Sequence, residues 1–227
     1  MTIPSTHAEI EQIYLTTELS NCKSLCITAC QSGDGVTSIA SALAERYLLA
    51  GYKTLLVDLN MFHPAFRKLS LHSGKTIKEH WIEDSYNHRL FTGITIPNDS
   101  SKQLAYKDPS VMKGLIEKWL NHFERIIIDT SPLLKINRNN IPAQNVASAC
   151  EKTILIVRGG ITTINQIETA ISLLKLETIS LLGTVLNKKE QTPLNQELIC
   201  TFRKIPFISK TLRDKIESWL LKNTFLS

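Results

Sequence analysis

The sequence predicts an α/β protein: a three-layer sandwich with a mainly parallel sheet and helices on both faces. Three observations carry that prediction. Short apolar runs alternate with stretches of helical periodicity, the order that builds parallel sheets. The first apolar run opens into a glycine-containing loop, SGDGVTS at 32–38, that leads straight into a helix. Two later runs, TLLVD and RIIID, each end on an aspartate, at the strand end where open α/β sheets hold ligands.

The elements follow in chain order. Residues 6–20 read as a helix with Ile10, Ile13 and Leu19 on its apolar side. Residues 24–29 read as a buried strand, and 37–50 as a helix with Ile39, Ala42, Leu43, Tyr47 and Ala50 at helical spacing. Gly51 follows where a helix end favours positive φ. The continuous apolar run 54–58 reads as a strand buried on both faces. Residues 60–104, rich in His, Ser, Asn and Asp, read as irregular, with one short strand at 91–96. A helix at 110–123, strands at 125–129 and 154–157, a helix at 163–176 and a strand at 180–186 complete the alternation. The segment 210–226 reads as a weakly basic amphipathic helix that packs on the sheet or lies on a membrane or partner. With no internal repeat and no low-complexity linker, residues 1–227 read as a single domain, begun by a helix within 1–20 and closed by one within 210–227.

Composition excludes several classes. At 227 residues, 43% hydrophobic and 21% charged, the chain has the make-up of a folded cytosolic protein able to bury its own core. No run approaches the ~18 apolar residues of a membrane span. The N-terminal MTIPSTHAEIEQIY carries acids and no apolar core, unlike a signal peptide. The expected location is therefore the cytoplasm. The net charge of +5 is spread over scattered residues, without the basic stripe and aromatics of a nucleic-acid groove, so no nucleic acid is expected as a partner. Cys22, Cys26 and Cys30 lie four apart along the first strand. Strand geometry separates such neighbours by ~13 Å, too far to share a metal at ~2.3 Å per sulfur. They are expected as small buried hydrophobes. His63, His72, His80 and His88 show no zinc spacing.

The chemistry concentrates in three places. The first is the loop. Gly33 and Gly35 let backbone amides turn toward an anion, and the following helix N-terminus favours negative charge. A full phosphate loop reads G-x-x-x-x-G-K-[ST], its lysine reaching the phosphates and its hydroxyl the magnesium. Here Gly35 and Thr37 stand in register, but Ala29 takes the place of the first glycine and Val36 that of the lysine. The second and third places are Asp58 and Asp129, two acids able to hold magnesium or orient a water.

The residues quoted next resemble the cytoplasmic domain of bacterial tyrosine kinases of capsule and exopolysaccharide assembly (BY-kinases), within the MinD/ParA class of septum-placing and plasmid-partition ATPases. ITACQSGDGVTSIASALA at 27–44 resembles the family's first Walker motif, and TLLVDLNMFHPAF at 54–66 its A′ motif, with Pro64 in place. FERIIIDTSPLL at 123–134 resembles its Walker B segment. EKTILIVRGGITT at 151–163 and LLGTVLN at 181–187 resemble its last core strands. The resemblance implies a P-loop NTPase-like domain binding ATP or ADP with magnesium. It implies nucleotide contacts from Gly33, Asp34, Gly35, Val36, Thr37, Ser38 and Asn187, the last beside the adenine. It implies Thr37, Asp58 and Asp129 as magnesium ligands, with the two acids as the catalytic carboxylates. The partner it implies is a membrane polysaccharide co-polymerase or export protein, with peripheral contact at the inner face of the cell membrane and a homodimer across nucleotide.

The departures point one way. Val36 replaces the lysine, Asn60 the second acid of the family's A′ D-x-D, and Phe62 and His63 its basic pair. The helix segment AEIEQIYLTTEL keeps glutamates but lacks the arginines of the family's E-x-x-R-x-x-R assembly pattern. The tail TLRDKIESWLLKNTFLS has none of the family's tyrosines. The expected function is a degenerate, kinase-inactive member that regulates or scaffolds exopolysaccharide or capsule synthesis and export. The alternatives are an active ATPase or tyrosine kinase with an unusual loop, for which Lys23, Arg67 and Lys68 are candidate replacement cations, and a MinD/ParA-type spatial regulator of a secretion apparatus.

Overall fold

The structure, a computed structural model, describes residues 3–61, 63–69, 81–96, 99–135, 140–175, 178–188, 194–203 and 215–220. It divides into two compact units, Met1–Asn187 and Lys188–Ser227. The first holds an eight-stranded sheet in the order β3-β4-β5-β2-β6-β1-β7-β8. Its strands are β1 Ser24–Ala29, β2 Thr54–Leu59, β3 Phe66–Leu69, β4 Trp81–Asp84, β5 Leu90–Thr95, β6 Arg125–Thr130, β7 Lys152–Arg158 and β8 Leu181–Asn187. Pairing is parallel from β5 through β8 and antiparallel only in β3-β4 and β4-β5. The α/β class, the mainly parallel sheet and the helices on both faces are as the sequence predicts.

Side-chain alternation in the strands builds two cores. Leu25 and Ile27 of β1, Leu56 of β2, Ile127 of β6 and Ile154 and Ile156 of β7 face one side. There they meet helices α1 (Ala8–Leu19) and α2 (Val36–Leu49). Cys26, Leu55, Val57, Ile126, Ile128 and Leu155 face the other side, under α4 (Pro109–Leu120), α5 (Ala143–Ala149) and α6 (Ile164–Leu174). Cys22, Cys26 and Cys30 are buried and free, as expected. The short helix α3 (Ser100–Ala105) precedes α4.

Local chemistry sets the helix ends. Gly51 takes φ +88° after α2, a conformation only glycine adopts without strain. The Asp108 carboxylate caps α4 by accepting from the backbone N–H groups of Ser110 and Val111, with Pro109 at the first helical position. Thr163 and Gln166 form a reciprocal capping box on α6. Helix α1 is clamped by charge. Glu11 accepts from Arg46 at 2.6 and 2.9 Å, and Glu18 accepts from Arg125 at 2.9 Å on both oxygens.

The expected irregular stretch 60–104 is more ordered than its composition suggested. It contains the β3-β4-β5 antiparallel extension, whose strands are only four to six residues long and of mixed burial. Such strands carry little apolar periodicity. Helix α5 escaped the sequence reading because its seven residues, AQNVASA, are short and small. In the second unit, helix α7 (Leu194–Arg203) was also unforeseen; residues 215–220 are helical, and Arg203 donates to both carboxylate oxygens of Glu217 at 2.8 Å. Most of the expected helix 210–226 lies outside the described residues.

Gly93 of β5 shows how closely the sheet is packed. A Cβ there would lie 2.2 Å from Cδ1 of Ile82 and 2.5 Å from the backbone oxygen of Leu56. The side chain can yield but the backbone cannot. Gly93→Ala is expected to lose about 2 kcal/mol or more in urea denaturation, and adding Ile82→Ala is expected not to restore it.

Candidate nucleotide site

The site forms at the carboxyl ends of β1, β2 and β6, around the start of α2. Gly33 and Gly35 take φ +90° and +104°, so the loop can wrap as only glycines allow. Gly35 is the residue before α2, and Val36 is its first helical residue. The Asp34 carboxylate folds back into the loop and accepts from the backbone N–H of Gln31 at 2.8 Å. Asp34 is 1% exposed, and burial pushes its carboxyl above the usual range.

Asp58 and Asp129 are direct register partners on adjacent parallel strands, about 4.8 Å apart across the pairing. Each follows by two a residue of the α2-facing core, Leu56 and Ile127, so both carboxyls project toward α2. The Thr37 hydroxyl donates to Oδ2 of Asp129 at 2.5 Å. Oδ1 of Asp129 is buried and has no hydrogen-bond partner among the described residues. Asp58 is committed differently. Its Oδ1 accepts from Asn60 N–H at 2.9 Å, and its Oδ2 from Ala65 and Phe66 N–H at 3.1 and 3.3 Å. It therefore ties down the segment that carries Pro64. Burial pushes the Asp58 carboxyl up to about 6, against the pull of those N–H groups. Burial and the neighbouring Asp58 push Asp129 well above the ordinary carboxylate range, against the Thr37 bond.

Asn187 closes the loop from the end of β8. Its side-chain amide donates to the Asp34 carbonyl at 2.8 Å, and a Cβ on Gly35 would lie 2.3 Å from that nitrogen. Gly33, Asp34, Gly35, Thr37, Asp58, Asp129 and Asn187 thus meet in one place. Ser38 sits half-buried in the first turn of α2. Val36 is 8% exposed and belongs to the apolar core between α2 and the sheet. The expected replacement cations do not reach the site. Lys23 precedes β1, at the amino end of the sheet, where its backbone N–H donates to Glu151 at 2.5 Å. Arg67 bonds Glu83 at 2.7 Å on the antiparallel extension, and Lys68 pairs with Ile82 there. Sequence reading missed a nearer cation, Arg158, the last residue of β7. Its signal was its place, a charge ending the apolar run TILIV.

The oxygen donors fit a magnesium ion. The Thr37 hydroxyl and the Asp129 carboxylate, whose buried Oδ1 has no hydrogen-bond partner among the described residues, are hard donors of the kind magnesium takes, with Asp58 beside them holding backbone N–H groups. The glycine loop and helix start fit a phosphate. Val36 alone does not fit, since it supplies no charge.

Comparison with known proteins agrees with this geometry. The fold is shared with a ParA family ATPase from Chlorobium tepidum, at a TM-score of 0.53 and 16% identity over 87% of this chain and 81% of that one. A family model described as an AAA domain matches residues 23–211. CapB of Staphylococcus aureus is 30% identical over 181 residues, 73% of this chain and 75% of that protein. The tyrosine-protein kinase CpsD of Streptococcus pneumoniae serotype 4 is 29% identical over 180 residues, covering 73% and 76%. The kinase domain of the Escherichia coli tyrosine kinase ETK shares the fold, with a TM-score of 0.58 at 19% identity over 81% of this chain and 75% of that one. The chain belongs to the AAA-domain P-loop proteins and, among them, to the bacterial tyrosine kinase family.

Because Asp34, Asp58 and Asp129 are all raised, the native state holds more protons than the unfolded chain from about pH 4 to beyond 6. Metal-free protein then loses stability as pH rises through that window. Asp129→Asn keeps an acceptor for Thr37 and removes one charge. Its melting temperature without magnesium is expected to exceed wild type by about 2–4 °C at pH 7.5, roughly 1 kcal/mol, and to match it at pH 4.5. Differential scanning fluorimetry across pH checks both.

Proposed function

We propose that this chain is a member of the bacterial tyrosine kinase family that no longer transfers phosphate. It acts as a regulatory or scaffolding component of exopolysaccharide or capsule synthesis and export. The observation that carries this reading is Val36, an apolar side chain packed into the core at the position where the phosphate loop places its lysine. Phosphoryl transfer depends on positive charge held against the moving phosphoryl group. A side chain turned into the core cannot supply it.

The glutamates of α1 support the same reading. Where the family pattern uses this helix for assembly, Glu11 and Glu18 here bond Arg46 and Arg125 of the same chain. The retained magnesium-type donors support a protein that still holds nucleotide as a structural or signalling ligand. Its partner on this reading is a membrane polysaccharide co-polymerase or export protein. On this reading that partner supplies the membrane component; among the described residues no helix is long and apolar enough to cross a membrane.

The test is release of inorganic phosphate and formation of phosphotyrosine by the pure protein with ATP and magnesium. Wild type is expected to stay at the level of Asp129→Asn. Val36→Lys is expected to bind ATP–magnesium about tenfold more tightly in isothermal titration, the effect of one charge-assisted bond. Wild-type turnover well above the Asp129→Asn level overturns the reading.

A further inference from the structure

We infer that Arg158 is the cation that receives the phosphates of a bound nucleoside diphosphate or triphosphate, in place of a lysine on the loop. The inference deepens the reading above, because it requires nucleotide to be held without being turned over.

Position comes first. Along β7, Ile154 and Ile156 face the α2 side of the sheet. Arg158 is two residues further, so it projects to that same side, just past the last buried residue of the strand. Asp58 and Asp129 face that side too, each two residues beyond Leu56 and Ile127, but across the sheet Asp129 stands level with Ile27 of β1 and so with Ile154 of β7, four residues before Arg158. Arg158 therefore lies on the face that presents both carboxylates, about 13 Å further along the strand direction, past the level of Ala29, where β1 gives way to the loop.

Neighbours come second. Arg158 pairs in register with Asn187 on β8, and Asn187 donates to the Asp34 carbonyl at 2.8 Å and rests against Gly35. The strand β1 that feeds the loop lies on the other side of β7, with Ala29 opposite Ile156. Arg158 is thus flanked by the strand entering the loop and by the asparagine that closes it. Its charge is felt there, since it draws the Asp34 carboxyl down against the effect of burial. The backbone also holds the strand end in place: Arg158 N–H donates to the Thr162 hydroxyl at 3.1 Å, and Gly159 N–H to the Asn187 carbonyl at 2.9 Å.

Charge balance gives the reason for the residue. The loop and strand ends carry Asp34, Asp58 and Asp129, three acids with no loop lysine. A phosphate chain entering such a site meets like charge unless a cation stands beside it. A guanidinium offers five donors in a planar fork that matches phosphate oxygens. Standing on a strand rather than on the loop, it steadies bound phosphate without following the transferred group.

The experiment measures affinity of the full chain for ADP and for adenosine by isothermal titration with magnesium, without reference to turnover. Wild type is expected to bind ADP at least tenfold more tightly than adenosine. Arg158→Ala is expected to lose about ten- to a hundredfold in ADP affinity with adenosine affinity unchanged, and Arg158→Lys to recover part of the loss. Asp34→Asn, which keeps an acceptor for the Gln31 amide, is expected to bind ADP more tightly than wild type. The melting temperatures of the nucleotide-free variants establish that each is folded. Three results overturn the inference: wild type that binds neither ligand, Arg158→Ala that binds ADP like wild type, or Arg158→Ala that loses ADP and adenosine equally. Phosphate release by wild type would instead overturn the reading of an inactive protein while leaving the assignment of Arg158 intact.

Discussion

Two carboxylates end adjacent parallel strands and face the same helix, at a depth where Asp58 is 1% exposed and Asp129 is not exposed at all. A fold does not bury two like charges side by side without arranging its backbone around them. Here Asp58 gathers three N–H groups from the turn that follows β2, and that turn is shaped by them. Among the described residues Asp129 receives only the Thr37 hydroxyl, which draws the first turn of α2 against the end of β6. The placement of α2, of the loop before it and of the Pro64 segment all follow from how these acids are satisfied. Oδ1 of Asp129 has no hydrogen-bond partner among the described residues, and a divalent cation would complete it.

Val36 shifts the balance between fold and chemistry. A lysine at the first position of α2 would have to keep its ammonium in the polar cleft, because burying an unpaired charge costs several kcal/mol. Valine instead joins Ile39, Ala40 and Leu43 against the sheet, and burying such a side chain contributes about 1.5–3 kcal/mol. The substitution therefore stabilises the junction of α2 and sheet while removing the charge that transfer requires. That is the direction in which stability and activity commonly oppose each other.

The sheet strands were legible because buried parallel strands are continuous apolar runs, and TLLVD, RIIID and TILIV have no other reading at their length. The loop, Asp58 and Asp129 were legible because glycines and strand-end acids carry their meaning in local order. The antiparallel β3-β4 pair was not, since Phe66–Leu69 and Trp81–Asp84 are four residues each and show mixed burial. The role of Asp58 in holding the backbone of Ala65 and Phe66 was not legible either, because it depends on how the chain doubles back. Arg158 was hidden for the same reason. Only the order β1-β7-β8 brings a residue so far along the chain beside the loop at 32–38. Lys23 is closer in sequence yet stands at the opposite end of β1.

The charges of α1 complete the same logic. Arg125 begins β6, and its guanidinium lies 4.1 Å from the centre of the Tyr52 ring while it bonds Glu18. Arg46 of α2 lies 3.9 Å from the centre of the Tyr14 ring and bonds Glu11. Each arginine is thus held by a carboxylate and an aromatic face together, an arrangement that fixes a planar guanidinium better than either partner alone. Glutamates engaged this way are unavailable to a neighbouring copy unless both contacts are broken. Helix α1 consequently reads as a brace across α2 and the amino end of the sheet. On the reading proposed above, a chain that engages these glutamates internally, and that packs a valine where a phosphate loop has its lysine, is one that holds a single conformation. A partner can recognise such a conformation without any turnover by the protein that presents it.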